Sequence, residues 1–384
     1  MLDKKYNDFR ERVRAFALEH LEPKAVQLDL EQRFPTEHIK PLADNGYLSL
    51  LIPKEYGGNK VDTISYCIVV EELSRVCGST GIIVAAHNSL GTGPIINFGN
   101  EKQKQKYLPR AAKGELVAFG LSEPEAGSDA GGTKTIAKKQ NGHWVVNGSK
   151  CWITSAPQAF ASVATARTSD DPTDKRITTF IFERAFKGYA VGKKENKLGL
   201  RGSDTAFLHF DDMHVPDENR LGEVGMGFKQ MLITLDGGRI SIGAMALGLA
   251  QGALDVALCY SADRKQFGQP ISNNQAIQHK LATMATELEA ARLMIYETAQ
   301  MKDAGIEYTQ FSAMCKLFAS EVATRTCSTA MSILGGIGYY TGPYPVERMW
   351  RDVKLCEIGE GTSEIQRLVI ARELLKKVKP AVAG

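Results

Sequence analysis

The spacing of hydrophobic residues changes character twice along this chain, and those two changes constrain its fold more than any other feature. Near the start, Tyr6, Phe9, Val13 and Phe16 recur at steps of three and four, an amphipathic helical stripe. Pro35, Pro53 and Tyr56-Gly57-Gly58 punctuate the segment, and residues 68–90 read as a further helix. From about residue 118 strand-like runs replace the stripe: His143 to Val146, Lys150 to Thr154, Phe160–Ala166, Ile177–Phe182 and Ala206–Phe210. Asn141-Gly142 and Asn147-Gly148 lie beside them, and Asn-Gly favours the positive φ of tight hairpin turns. After Gly225-Met226-Gly227 the helical period returns, with Ile277, Leu281, Met284, Leu288, Ala291 and Ile295 stepping by four and three in turn. The expected organisation is mainly α with a β middle domain: helices over 1–118, antiparallel β over 119–226 as a small barrel or sandwich, and a helical bundle over 227–384. Strands and helices do not alternate, which argues against a Rossmann nucleotide domain.

Composition narrows the function. At 384 residues the chain holds two or three domains, and 47 basic against 44 acidic residues, interleaved, give no nucleic-acid signature. Seven cysteines (67, 77, 151, 259, 315, 327, 356) are dispersed without a CxxC pair or a His cluster, which reads as reduced thiols and neither a disulfide framework nor a metal site. The most apolar long stretch, Ile240 to Leu258, is interrupted by Gln251 and Asp255. A membrane span needs ~20 nearly uninterrupted apolar residues, so a buried helix and no membrane are expected. Asp3, Asp8 and Glu11 in the first residues fit neither a secretory signal nor a transit peptide. The expectation is a bacterial cytoplasmic protein, or a mitochondrial-matrix one if a leader has been removed.

Five segments carry polar or glycine-rich chemistry. Gly120-Leu121-Ser122-Glu123-Pro124-Glu125-Ala126-Gly127-Ser128-Asp129 opens the β segment; its glycines and hydroxyls suit a ligand-facing loop, or equally a surface turn. Cys151-Trp152-Ile153-Thr154 ends a strand, where a tryptophan either stacks on a flat ring or fills the core. Arg264-Lys265-Gln266-Phe267-Gly268, with Gln275 beyond it, suits a phosphate and a ring, or a basic helix C-terminus. Gly335-Gly336-Ile337-Gly338 follows a helix, so it fails as a dinucleotide fingerprint but allows close backbone approach to a pyrophosphate. Glu360-Gly361-Thr362-Ser363-Glu364-Ile365-Gln366-Arg367 sets one carboxylate between glycines, with Thr362 as a helix N-cap.

In this order and spacing the five segments resemble the acyl-CoA dehydrogenase family over essentially the whole chain. The resemblance implies an N-terminal helical domain, an antiparallel β-barrel domain and a C-terminal four-helix bundle, with FAD between the last two. Phe119, Leu121, Ser122, Trp152, Thr154 and Thr362 match flavin-side positions. Arg264, Phe267, Gln275 and Gly336 match positions that reach the FAD of a neighbouring subunit, which implies a homotetramer built as a dimer of dimers. Ser128, Asp236, Arg239 and Gly361 match acyl-CoA contacts, and Glu360 matches the base that removes the α-proton. Some members carry the base on the preceding long helix; the matching residue here is Gly238, which cannot act. Electron-transfer flavoprotein is the implied electron acceptor.

Two positions depart from the commoner pattern: Ser332 where many members have glutamine, and Gly359 in place of the usual tyrosine before the base. His87-Asn88-Ser89-Leu90 and Leu235-Asp236-Gly237-Gly238-Arg239-Ile240 resemble the short-chain, butyryl-type enzymes. Residues 77–90 contain no cation for a dicarboxylic substrate. The alternatives are a branched- or medium-chain dehydrogenase, an oxidase, or a non-catalytic flavin or acyl binder, the last disfavoured by the intact Glu360.

Overall fold

The computed structural model describes residues 3–169 and 176–378. The N-terminal stripe folds as α1 (Lys4–Phe16), followed by α2 (Glu22–Glu31) and α3 (Thr36–Asp44). Val13 and Phe16 are buried, with Tyr6 and Phe9 packed against the same core. The helix expected over 68–90 is divided. Helix α4 (Thr63–Val76) stops at Cys77, which takes an extended conformation, and α5 (Gly78–Ala85) restarts the chain. Close packing requires the glycine at the restart: a Cβ on Gly78 would stand 3.0 Å from Asp352, Leu200 and Leu249. A π-helical turn over Ala86–Gly91 then leads into α6 (Thr92–Phe98), and α7 (Glu101–Ala112) starts on a capping box made by Asn100 and Gln103.

The middle segment contributes β1 (Val117–Gly120), β2 (Ile136–Gln140), β3 (His143–Thr154), β4 (Ala161–Arg167), β5 (Ile177–Glu183), β6 (Tyr189–Lys194), β7 (Thr205–Pro216) and β8 (Arg220–Leu221). Their order is β6-β7-β3-β2-β4-β5-β8, with β1 also on β4. This corrects the expected antiparallel barrel in two ways. The end strands β6 and β8 do not pair, so the described sheet is open, and β1 and β2 both run parallel to β4. Both faces are covered. Phe180 and Phe182 enter a core with Trp144, Val146 and Phe210, while Ile181 between them faces a second core with Ile95, Tyr107 and Met231. The two Asn-Gly steps do different work. Asn141 (φ 45°) and Gly142 (φ 83°) make the tight turn that pairs Gln140 with His143. Asn147-Gly148 makes no turn: β3 runs through it with a bulge, and Gly148 is demanded by the Thr135 backbone, 2.7 Å from where its Cβ would stand.

The last segment holds α8 (Gly227–Asp263), the short strands β9 (Lys265–Gln266) and β10 (Gln269–Pro270), α9 (Gln275–Asp303), α10 (Thr309–Leu334), α11 (Gly336–Tyr339), α12 (Val346–Ile358) and α13 (Ser363–Leu375). Helix α8 is long and apolar enough to cross a membrane, but most of that stretch is buried against α4, α9, α10 and α12. Met284, Leu288, Ala291 and Ile295 of the predicted stripe are fully buried on α9. One continuous core joins α1, α4 and α5 to α8, α9 and α10, so the two helical segments do not bury separate interiors. Two ion pairs reinforce the joint: Arg292 of α9 with the buried Glu71 of α4 at 3.2 Å, and Arg75 of α4 with Asp255 of α8.

Candidate active site

The sheet and α8 leave between them a cavity of about 1450 Å³. One wall is β1, the loop after it and the end of β3, contributing Phe119, Leu121, Ser122, Ser128, Trp152 and Thr154. Asp236 and Arg239 come from α8, and Glu360, Gly361 and Thr362 from the turn between α12 and α13. Eleven of the fifteen residues expected at the site are thus gathered around one space.

Trp152 owes its place to a β-bulge. Register between β3 and β7 shifts between Lys150 and Ile153, and Trp152 sits there with φ 61°. The bulge turns the indole out of the sheet, leaving it 61% exposed, with Phe207 against its edge at 5.6 Å. The neighbouring Cys151 N–H donates to the Ser122 carbonyl at 2.9 Å, tying the loop to the strand. Beneath the loop lies an ion pair that sequence reasoning missed. Lys150 Nζ donates to Glu123 Oε1 at 2.6 Å with both side chains buried, and Glu123 Oε2 accepts from the Lys134 and Thr135 N–H groups.

Glu360 stands on a left-handed turn, at φ 56°, with Gly361 at φ 91°. A non-glycine residue rarely adopts this conformation, and the surroundings hold it there. Gln366 Nε2 donates to the carbonyls of Glu360 and Gly361 at 3.0 and 2.9 Å, and Lys316 Nζ donates to the Gly361 carbonyl at 2.7 Å. Thr362 caps α13 by accepting from Ile365 N–H, as its position predicts. The Glu360 N–H donates to no backbone carbonyl among the described residues. The carboxylate projects over α8, where a Cβ on Gly238 would lie 2.1 Å from Oε2. Glu360 as a whole is partly accessible because it lines the cavity, yet Oε2 is sealed from solvent and lacks a hydrogen-bond partner. Burial pushes this carboxyl up to about 7, against the pull of Lys316 and Arg239. Arg239 Nη1 donates to Asp236 at 2.6 Å, and Thr309 Oγ1 donates to the same carboxylate at 2.7 Å, so the Arg239 charge is already engaged.

Arg264, Phe267, Gln275 and Gly336 are not brought to this cavity. All four are exposed, on the β9–β10 hairpin, the first turn of α9 and the start of α11. Phe267 is wholly exposed at φ 51°. Ser332 accepts from Lys280 Nζ at 3.1 Å, linking the end of α10 to the start of α9.

Three family models match in succession: the acyl-CoA dehydrogenase N-terminal domain over residues 3–115, the middle domain over 118–213 and the C-terminal domain over 225–375. The chain belongs to the acyl-CoA dehydrogenase family. It is 50% identical to a probable acyl-CoA dehydrogenase of Bacillus subtilis, covering 98% of this chain and 99% of that one. A short-chain specific acyl-CoA dehydrogenase of Clostridium acetobutylicum is 46% identical over 96% and 97%. The structure of butyryl-CoA dehydrogenase from Megasphaera elsdenii superposes with a TM-score of 0.94 at 40% identity, covering 98% of this chain and 99% of that one. The protein is therefore a flavin-dependent oxidoreductase of the acyl-CoA dehydrogenase family, with FAD as cofactor. The cavity wall fits that group: the open indole of Trp152 suits a flat ring, and Ser122, Thr154 and Thr362 line the same space.

Proposed function

We propose that this dehydrogenase converts a short-chain acyl-CoA to the trans-2-enoyl-CoA, with Glu360 taking the α-proton. The observation that carries the reading is the Glu360 carboxylate itself, sealed at Oε2, without a partner and facing the cavity. A base should be half-ionised near working pH, and burial brings this one to about 7. A thioester α-proton is a far weaker acid than any carboxylic acid, so the carbonyl needs donors as the enolate forms, each worth about 3 kcal/mol. The uncommitted Glu360 N–H supplies one. Asp236, Arg239 and Ser128 orient the CoA portion, and Gly361 lets the thioester approach the turn. Ser122, Trp152, Thr154, Phe119, Leu121 and Thr362 hold the flavin end of FAD. Bound FAD supplies the acceptor for the β-hydride.

Arg264, Phe267, Gln275 and Gly336 serve the FAD of a second subunit in a tetramer. Complete exposure of Phe267 on a left-handed turn favours this, since an aromatic so placed gains only when covered. Electron-transfer flavoprotein is the proposed electron acceptor.

A medium or branched acyl chain is a second reading, favoured by Gly359. Its backbone (φ −70°, ψ 154°) would accept any residue, and the atoms nearest a Cβ there belong to Leu355, at an ordinary 3.4 Å or more. The missing side chain widens the cavity beside Glu360 without any steric need. Anaerobic titration with butyryl-CoA, with longer and branched thioesters in parallel, tests both readings. Bleaching of the flavin by butyryl-CoA, with crotonyl-CoA formed and no turnover in Glu360→Gln, is the expected result. Full activity in Glu360→Gln would overturn the base assignment.

A further inference from the structure

We propose that Lys316 is a positioning residue for Glu360, its buried ammonium holding the base's turn through the Gly361 carbonyl and lending its charge to the carboxylate. This rests on Glu360 being the base. Lys316 lies on the inward stripe of α10 with Ser312, Ala319, Ser320 and Ala323 and is fully buried. A cation there needs compensation, because burial without partners is costly. Among the described residues it pairs with no carboxylate, and its one hydrogen bond goes to Gly361 O at 2.7 Å. The carboxylates that act on it are Glu360 and Glu357, and Glu357 is drawn off by its ion pair with Lys354.

The groups facing Glu360 come from four helices. Arg239 on α8 is committed to Asp236, and Tyr66 on α4 and Cys356 on α12 are neutral while protonated, with burial raising both. Lys316 on α10 is thus the cation left for the base. Its own proton is loosened by burial to about 8, so it is mostly charged near pH 7, where Glu360 is half-ionised. The hydrogen bond also matters for geometry. Glu360 and Gly361 occupy a left-handed turn that must be held from outside, and Lys316 and Gln366 are the side chains that grip its carbonyls.

The two roles separate by substitution in the FAD-loaded enzyme. Lys316→Gln keeps a donor for Gly361 and removes the charge; Lys316→Met removes both; Lys316→Arg keeps the charge. Two readouts are needed: kcat against pH on butyryl-CoA, and titration of the protonated Glu360 carboxyl by its infrared band in substrate-free protein, assigned by its loss in Glu360→Gln. The expected result is that Lys316→Gln and Lys316→Met both move the midpoint upward by about one pH unit. Lys316→Met should also lower the plateau kcat about tenfold as the turn loosens, and Lys316→Arg should leave the midpoint in place. Two neutral variants of different shape keep the test open if one fails to fold. A midpoint unchanged in the neutral variants, or moved equally in Lys316→Arg, overturns the proposal. Turnover by Glu360→Gln would instead overturn the base assignment, a result independent of where the Lys316 midpoints fall.

Discussion

Gly238→Ala should abolish most of the activity while sparing the fold, because the base occupies the space the new methyl needs. The added Cβ would stand 2.1 Å from Glu360 Oε2 and 2.9 Å from Leu90 Cδ2, against an ordinary contact of 3.4 Å. The carboxylate must therefore retreat by 3.4 − 2.1, about 1.3 Å. Misplacing a reacting group by about 1 Å costs about a hundredfold in rate, or about 2.7 kcal/mol of barrier. Stability responds differently. Position 238 is inside α8, where alanine is favoured over glycine by about 1 kcal/mol. The crowded atoms are ends of flexible side chains, so strain of about 1 kcal/mol offsets that gain. The assay is kcat on butyryl-CoA beside flavin content and a melting curve, and the expected result is a kcat about a hundredfold lower with Tm within about 4 °C of the parent. A variant that keeps its flavin and its Tm yet loses less than about threefold in kcat, under about 0.7 kcal/mol, would refute the idea that Glu360 acts from this position.

The raised Glu360 carboxyl also predicts a cost in stability. Its pKa rises from 4.5 unfolded to about 7 folded, so the folded state keeps a proton the unfolded chain has lost, and stability declines as pH climbs through that window. Glu360→Gln removes the effect and should be more stable than the parent at pH 8 by about 2 kcal/mol, after allowance for the open cavity wall, with the difference vanishing near pH 4 in urea titrations. For the same reason kcat/KM should fall tenfold per pH unit below about 7. Lys150→Met strands the buried Glu123 carboxylate and should lower unfolding free energy by about 3 kcal/mol in urea, with flavin affinity weakened because the Ser122 loop rests on that pair. Gly359→Leu should leave Tm unchanged and reduce kcat/KM for branched and longer thioesters more than for butyryl-CoA; equal losses for all chains would remove Gly359 from the acyl pocket.

Much of this was legible in the sequence because it is local. The Asn141-Gly142 turn needs two residues tolerant of positive φ, and the α9 stripe needs one buried face; both leave a short-range pattern. What was not legible depends on partners far along the chain. Gly148 looked like a turn residue but answers to Thr135, and the parallel β1–β4 pairing joins strands 44 positions apart in register, Val117 with Ala161. Whether a sheet closes is a property of its two end strands, and nothing within β6 or β8 encodes the other. Lys150 opens a strand-like run and Glu123 sits in a polar loop 27 residues earlier, and neither local pattern shows that they meet. Lys316 did leave a signal: it falls four residues after Ser312 and four before Ser320, so a lysine sits on the stripe that faces the core.

The glycines around the base carry more information than their composition suggests. Gly238 has no side chain where Oε2 lies, and a Cβ on Gly361 would stand 2.6 Å from the Gln366 amide that holds the turn. Gly238 is the steric imprint of the Glu360 carboxylate, and Gly361 that of the amide gripping its left-handed turn. That makes the placement of the base over-determined: α8 leaves the space, α13 grips the carbonyls through Gln366, and α10 supplies the ammonium behind them. A carboxyl raised to about 7 and held at an unfavourable φ is unstable by itself, so the three helices must be packed before it can exist. Catalysis in this fold therefore depends on the shared helical core as directly as on the residue that takes the proton, and substitutions that loosen α8 against α10 should lose activity before they lose structure.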